Sequence, residues 1–496
     1  MTPEGTEDSL RVSCRPRVPG LNKSRASRII RGVGKKLGSA LTPPGAGRAG
    51  RSAVLHRSLS KSYPVAVRGE GVWLFDAGGR RVLDFASSAV VTMLGHGDHT
   101  IARAMADQAS QLEFAHSSSF TTDVAEQFAG ELLEFAGPAF RDGEVFFTSG
   151  GSESVESALK LARQYQVESG HSGRYQVVSR RQSYHGATMG AMAVSGNEAR
   201  RSIYLPMLRE FPKAGTPYCY RCPFDCRNGC ADCGLKYAAE IEQAIAETGG
   251  TAAAFIMEPV SGATLGAAAP PPAYVKRVAE ICHDQQVLLI ADEVMTGFGR
   301  TGRGFAMDHY AVAPDIVAAG KGISSGYLPL GAVIAQRHVV DALANGSSTL
   351  LHGFTYNGHP IAVAAGRAVL RRLTEGKLIE AADSDRSGSV AWILKDELQQ
   401  LWKLDCVGDV RGMGLLWAVE LVADRLTKEP FPAENKFASR VSECALRRGV
   451  LLYPMQGCAD GRRGDHVMVA PPAVISPEEI RWAVQQLGEA IQDASS

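Results

Sequence analysis

From Val72 to about residue 340 the chain alternates short, strongly apolar runs with stretches of helical periodicity, and this alternation limits the fold more than any other feature. The runs are "EVFFTS" at 144–149, "RYQVVS" at 174–179, "AAAFIMEP" at 252–259, "QVLLIADE" at 286–293, "DIVAAG" at 315–320 and "GAVIAQ" at 331–336. Runs so apolar suit strands covered on both faces. Between the first two, "SESVESALKLARQYQVE" places Val155, Leu159, Ala162 and Gln166 at helical spacing, and "PAYVKRVAEICHDQ" separates the third from the fourth. Strand, helix, strand, helix in this order predicts an α/β protein: a large, doubly wound, mainly parallel sheet covered by helices. Ahead of it, "VWLFDAGGRRVLDF" reads as a hairpin turning at Asp76–Arg80. Beyond residue 340, helices and short strands such as "VRGMGLLWAVEL" predict a smaller α+β domain. The expected division is a basic, disordered extension at 1–50, an N-terminal part of the small domain at 51–95, the large domain at 96–340 and the C-terminal small domain at 341–496.

Composition narrows the function. With 496 residues and 45% hydrophobic content, the chain can bury a large core. A formal net charge of +1 offers no basic field for nucleic acid, and no apolar run reaches the roughly 18 residues of a membrane-spanning helix. Small molecules or a second copy of the chain are the expected partners, and the cytoplasm the expected location. Residues 9–69 lack Asp and Glu while carrying many Arg, Lys and Ser, which gives a mitochondrial transit segment as the alternative. Against it stand Glu4, Glu7 and Asp8 at the front, and Pro16, Pro19, Pro43 and Pro44, which would break a long amphipathic helix.

Five of the ten cysteines crowd into "CYRCPFDCRNGCADC", Cys219–Cys233. Cys219, Cys222, Cys230 and Cys233 have the spacing of a tetrahedral zinc site, with Cys226 left over. A reduced, metal-free surface loop is the alternative. Four sulfurs would leave no open position, so any metal there would be structural, and no catalytic metal is expected.

Ligands of an open parallel sheet gather beyond the carboxyl ends of its strands. The residues found there are Ser149 with Gly150 and Gly151, "RRQSYHG", Glu258, Asp292 and Lys321. Lys321 stands alone between glycines in "VAAGKGISSGYLPLGA"; a lysine out of water loses its proton readily and becomes a nucleophile. In "FFTSGGSESVE" the turn aims the N–H groups of Gly151 and Ser152 at an anion, although an ordinary strand-to-helix turn capped by Glu153 and Glu156 has the same letters. Asp292, at the end of an apolar strand, needs a cationic partner, and a protonated pyridine nitrogen would serve.

"ADEVMTGFGRTG", the lysine 29 positions after Asp292 in "AAGKGISSGYLPLGA", then "HGFTYNGHPIA" and "VRGMGLLWAVEL" together resemble the class III aminotransferases, pyridoxal-phosphate (PLP) enzymes of fold type I. The resemblance runs from about residue 53 to the C-terminus. It implies that Lys321 holds the cofactor covalently and, once displaced by substrate, moves a proton between substrate Cα and the cofactor's C4′. It implies further that Asp292 pairs with the pyridine nitrogen, that Tyr184 stacks on one ring face and Val294 on the other, and that Glu258 and His185 lie beside the ring. Gly151 and Ser152 would donate to the phosphate, Thr355 would reach the phosphate of the neighbouring subunit in a homodimer, and Arg411 of "VRGMG" would receive a substrate carboxylate. "EPVSGATLG" carries Ala263 where the 4-aminobutyrate and ornithine enzymes have an acidic residue, which points to the ω-amino acid or amine:pyruvate branch. The cysteine-rich insertion and "FASSAVVTMLGHG" depart from well-known members. A small-molecule amino donor and an oxo-acid such as pyruvate are thus the expected substrates. An aminomutase, a decarboxylating transaminase and, from another class, a non-catalytic metal- or partner-binding protein are the alternatives.

Overall fold

The computed structural model describes residues 52–224 and 231–495. The extension at 1–50 and the cysteines Cys226 and Cys230 lie outside the described residues. The chain divides between Pro64 and Val65. In the first unit, the described residues 52–64 carry no helix or strand, and the His56 and Tyr63 rings stack at 4.6 Å.

Residues 65–495 build three sheets. The first opens the unit with β1 (Ala66–Glu70), β2 (Trp73–Asp76) and β3 (Arg81–Asp84). The β2–β3 pair is the hairpin read from the sequence, its turn tied by the Asp76 carboxylate, which accepts from the backbone N–H groups of Gly78 and Arg80 at 2.9 Å each. The central sheet comprises β4 (Glu144–Thr148), β5 (Gln176–Arg180), β6 (Lys213–Ala214), β7 (Ala252–Met257), β8 (Leu288–Asp292), β9 (Ile316–Ala319) and β10 (Gly331–Ala335), in the order β4-β10-β9-β8-β7-β5-β6. Every residue of β7, β8, β9 and β10 is buried, as the apolar runs predict. The third sheet takes β11 (Val407–Met413), β12 (Leu416–Leu421), β14 (Tyr453–Gln456) and β15 (Asp465–Val469), while β13 (Val450–Leu451) returns to β3 in the first.

One strand departs from the parallel expectation. β10 runs antiparallel to both neighbours, β4 and β9. Only residues 320–330 connect β9 to β10, and a parallel return needs a crossover of a dozen residues or more, so the strand must reverse. Two reversals about β10 leave β4 pointing the same way as β5, β7, β8 and β9. All five therefore end at one edge of the sheet.

The helix Gly151–Glu168 follows β4 and buries Val155, Ala162 and Gln166, three of the four residues picked from its periodicity. Gln166 is polar yet buried because its Nε2 donates to the carbonyls of Ala253 and Gln286, each at 3.1 Å. The two-residue β6 gives no periodic signal, and the sequence reading lacks it.

Candidate active site

The groups that the sequence places at strand ends come to the shared sheet edge. Gly151 begins the helix after β4; Tyr184 and His185 lie in the loop after β5; Glu258 follows β7; Asp292 is the last residue of β8; Lys321 follows β9. Because β8 lies between β7 and β9, and Asp292 pairs in register with Ala318, the acid and the lysine leave neighbouring strands.

Asp292 is buried and accepts from two groups: Nδ1 of His185 at 2.7 Å and the Val294 N–H at 3.1 Å. His185 is buried as well, and its Nε2 has no partner among the described residues. Glu258 is held by the N–H groups of Gly262 at 2.9 Å and Tyr184 at 3.2 Å. Burial raises the Glu258 carboxyl above its usual range and nearby Asp292 adds to this, while His185 and the buried Arg180 oppose it. Arg180 donates to the Glu258 carbonyl at 2.6 Å, fixing where the strand ends.

Lys321 is half-buried by area and hemmed in by protein, and desolvation lowers its ammonium to about 8 against the opposing pull of Asp292 and Glu258. Its backbone sits at φ 44°, a left-handed conformation that a side chain adopts only where the surroundings fix it. Close approach explains the glycine before it. A Cβ on Gly320 would come 3.1 Å from both Cα and N of Gly151, and one on Gly151 would come 2.5 Å from Cγ1 of Val294. The end of β9 and the helix N-terminus thus approach through backbone atoms, and the Val294 side chain packs on Gly151, where a larger residue would separate them.

At that N-terminus the Gly151 and Ser152 N–H groups have no acceptor among the described residues, and Ser152 Oγ accepts from the Ala187 N–H at 3.0 Å. Open amides at a helix start attract an anion. The two glutamates of the alternative reading have other duties: Glu153 accepts from the Ser149 N–H at 2.8 Å, and Glu156 from Thr188 Oγ1 at 2.7 Å and the Ala191 N–H at 3.0 Å.

Arg411 and Thr355 stand apart from this group. Arg411, on β11, pairs with Glu420 at 2.8 Å and Asp409 at 2.9 Å, and donates to the carbonyls of Gly266 at 2.7 Å and Leu265. Tyr218 lies under its guanidinium at 4.8 Å and donates to Glu420, which Arg221 also pairs at 2.8 Å. Burial works to lower the Arg411 pKa, but Tyr218, Glu420 and Asp409 hold it raised. Thr355 is exposed in the 350–358 segment and lines an open groove with residues 115–122. In the cysteine-rich insertion Cys219 is exposed, Cys222 half-buried and Cys233 buried, and among the described residues no three ligands converge on a metal.

Two features of the site escape the sequence reading. Ser87, Ser88, Ala89 and Val90 all have positive φ, between 45° and 71°, a left-handed turn without a glycine. Such backbone costs about 1–2 kcal/mol per residue. It is held by Asp84, which accepts from the Ser88 N–H at 2.8 Å and Oγ at 2.7 Å, and by Ser87, which donates to the Ala470 carbonyl at 2.6 Å. Val90 is thereby pressed into an apolar cluster with Ala263, Met295, Tyr453 and Met455. The second feature is Arg200, whose guanidinium lies 4.4 Å from the Tyr184 ring centroid.

The residues fit PLP. They present open helix N–H groups for a phosphate, a buried acid backed by a histidine for a ring nitrogen, and a desolvated amine for an aldehyde, which together define a PLP-dependent enzyme of fold type I. The chain belongs to the family "Aminotransferase class-III", whose model matches residues 56–491. It is 35% identical over 445 residues to an aminotransferase of Bacillus subtilis, YodT, spanning 89% of this chain and 97% of the relative. A thermostable (S)-enantioselective ω-transaminase from Thermomicrobium roseum superimposes with a TM-score of 0.81 at 36% identity, over 88% of this chain and 94% of the other. The ω-transaminase of Pseudomonas jessenii, solved in complex with PMP, gives 0.80 at 29%, over 87% and 93%. Class III aminotransferases depend on PLP, and this chain is an aminotransferase.

Proposed function

We propose that the protein moves an amino group from an ω-amino acid, an amine or an amino acid to a 2-oxo acid such as pyruvate, in two half-reactions at Lys321. The observation carrying this reading is a lowered lysine just beyond the strand that neighbours a buried carboxylate already held by histidine. When bound, PLP supplies the aldehyde that accepts nitrogen and the ring that accepts electrons. Lys321 holds the cofactor, then takes and returns the proton at substrate Cα, a role its lowered pKa suits near neutral pH. Asp292 would pair with a ring N–H, and His185 fixes the direction of its carboxylate. Tyr184 and Val294 flank the ring, and Gly151 and Ser152 hold the phosphate. Ala263 is buried beside Val90 and Met295, so the wall near Glu258 is apolar, which supports an amine or ω-amino donor.

The working unit in this proposal is a homodimer. Phe120 and Leu351 are 69% and 77% exposed on or beside the groove that Thr355 lines, apolar surface of the kind a second copy covers. Thr355 would then reach the phosphate of the partner's site.

A panel of amino donors, each mixed with holoenzyme without acceptor, tests the reading through loss of the bound cofactor's visible absorption. An ω-amino acid or amine should bleach it and pyruvate should restore it. A spectrum that no amino donor changes would refute amino transfer.

A further inference from the structure

We propose that Arg200 is the guanidinium that receives the carboxylate of the oxo-acid acceptor, a specificity-determining contact of the transaminase site. The inference rests on the amino-transfer reading above and adds to it the residue that recognises the acid.

Two neighbouring arginines behave differently. Arg201 is buried and pairs with both oxygens of Glu210, at 2.8 and 3.0 Å. Arg200 is half-buried and pairs with no carboxylate among the described residues. Its contacts are the Tyr184 ring at 4.4 Å, the Tyr453 hydroxyl at 3.5 Å and the Met455 sulfur at 3.9 Å. None of these carries a charge to balance a guanidinium, and both hydrogen bonds are long, leaving most of its five donors available.

Its position is that of the site. Tyr184 is tied by its N–H to Glu258, and the next residue, His185, bonds Asp292. Tyr453 and Met455 belong to the apolar cluster with Ala263, Met295 and Val90. A planar, two-oxygen anion between this wall and Tyr184 would meet the Arg200 fork. The positive charge is also felt by Lys321, where it helps to keep the amine neutral.

Arg411 is the other arginine with a claim on that carboxylate, and its donors are already engaged. It faces two carboxylates and two carbonyls, and one of those carboxylates, Glu420, is wholly buried. Freeing it for a substrate would leave Glu420 with Arg221 as its remaining cation. That exchange is unfavourable in a dry interior.

The test compares holoenzyme with Arg200→Met and Arg200→Lys, using two readouts. The first is kcat/KM for pyruvate relative to propanal, a carbonyl acceptor without a carboxylate. Arg200→Met should lower that ratio roughly 100-fold, and Arg200→Lys, which keeps the charge but loses the fork, roughly 10-fold. The second is the Kd of propionate, read from the shift it causes in the bound cofactor's absorption and independent of turnover; it should rise by similar factors. An unchanged ratio and Kd, an equal fall for both acceptors, or loss of propionate binding in Arg411→Lys with Arg200 intact would each overturn the assignment. If the wild type binds propionate through Arg200 but transfers no amino group, the carboxylate contact stands and the amino-transfer reading fails. The converse result rejects Arg200 alone.

Discussion

Two buried charged regions of this protein solve the problem of burial in opposite ways. Around Arg411, every charge is answered: Glu420 lies between Arg411 and Arg221 and accepts from Tyr218, and this company holds its carboxyl below the usual range even though burial acts to raise it. Around Lys321 the answers are missing. The lysine is pushed down to about 8 by desolvation, and among the described residues His185 Nε2 has no partner and the amides of Gly151 and Ser152 have no acceptor. A saturated cluster joins two parts of a fold, whereas an unsatisfied one waits for a ligand whose atoms complete it.

Substitutions should separate the two regions by the quantity they change. Asp292→Asn removes the charge proposed to pair with the cofactor ring, and kcat should fall on the order of 10²–10³-fold, by steady-state kinetics, with little change in thermal stability. Glu420→Ala should do the reverse. It leaves Arg411 and Arg221 buried without their shared anion, which costs about 3–5 kcal/mol, seen as a lower urea midpoint for the cofactor-free protein. A large activity loss in Glu420→Ala with unchanged stability would dissolve the distinction between the regions.

The difference also governs what could be read from the sequence. The central sheet was legible because β7, β8, β9 and β10 are buried on both faces and so are written in uninterrupted apolar letters. Lys321, Asp292 and Glu258 were legible because a charged letter at the end of such a run is conspicuous, and a single sheet edge had to gather them. The direction of β10 was obscured, although the 11-residue link before it carried the answer. The left-handed turn at Ser87–Val90 was illegible: no glycine marks it, and the groups that impose it, Asp84 and the Ala470 carbonyl, come from separate elements. Arg411 and Arg200 could not be told apart from sequence, since their difference lies in partners such as Tyr218, Glu420 and Tyr453, the last more than 250 residues from Arg200.

One measurement bears directly on the claim that Lys321 is a desolvated amine awaiting a carbonyl. Cofactor-free protein is exposed to PLP across a pH series, the product is trapped with borohydride, and the modified residue is found by peptide mapping. A lysine lowered to about 8 is charged at a cost of about 3 kcal/mol below that pH, relative to its ordinary value near 10.5, and the neutral, reactive form gains as pH rises through 8. The account predicts label on Lys321, with an uptake rate that rises around pH 8. Label on a different lysine, or uptake that rises only near pH 10.5, would contradict it.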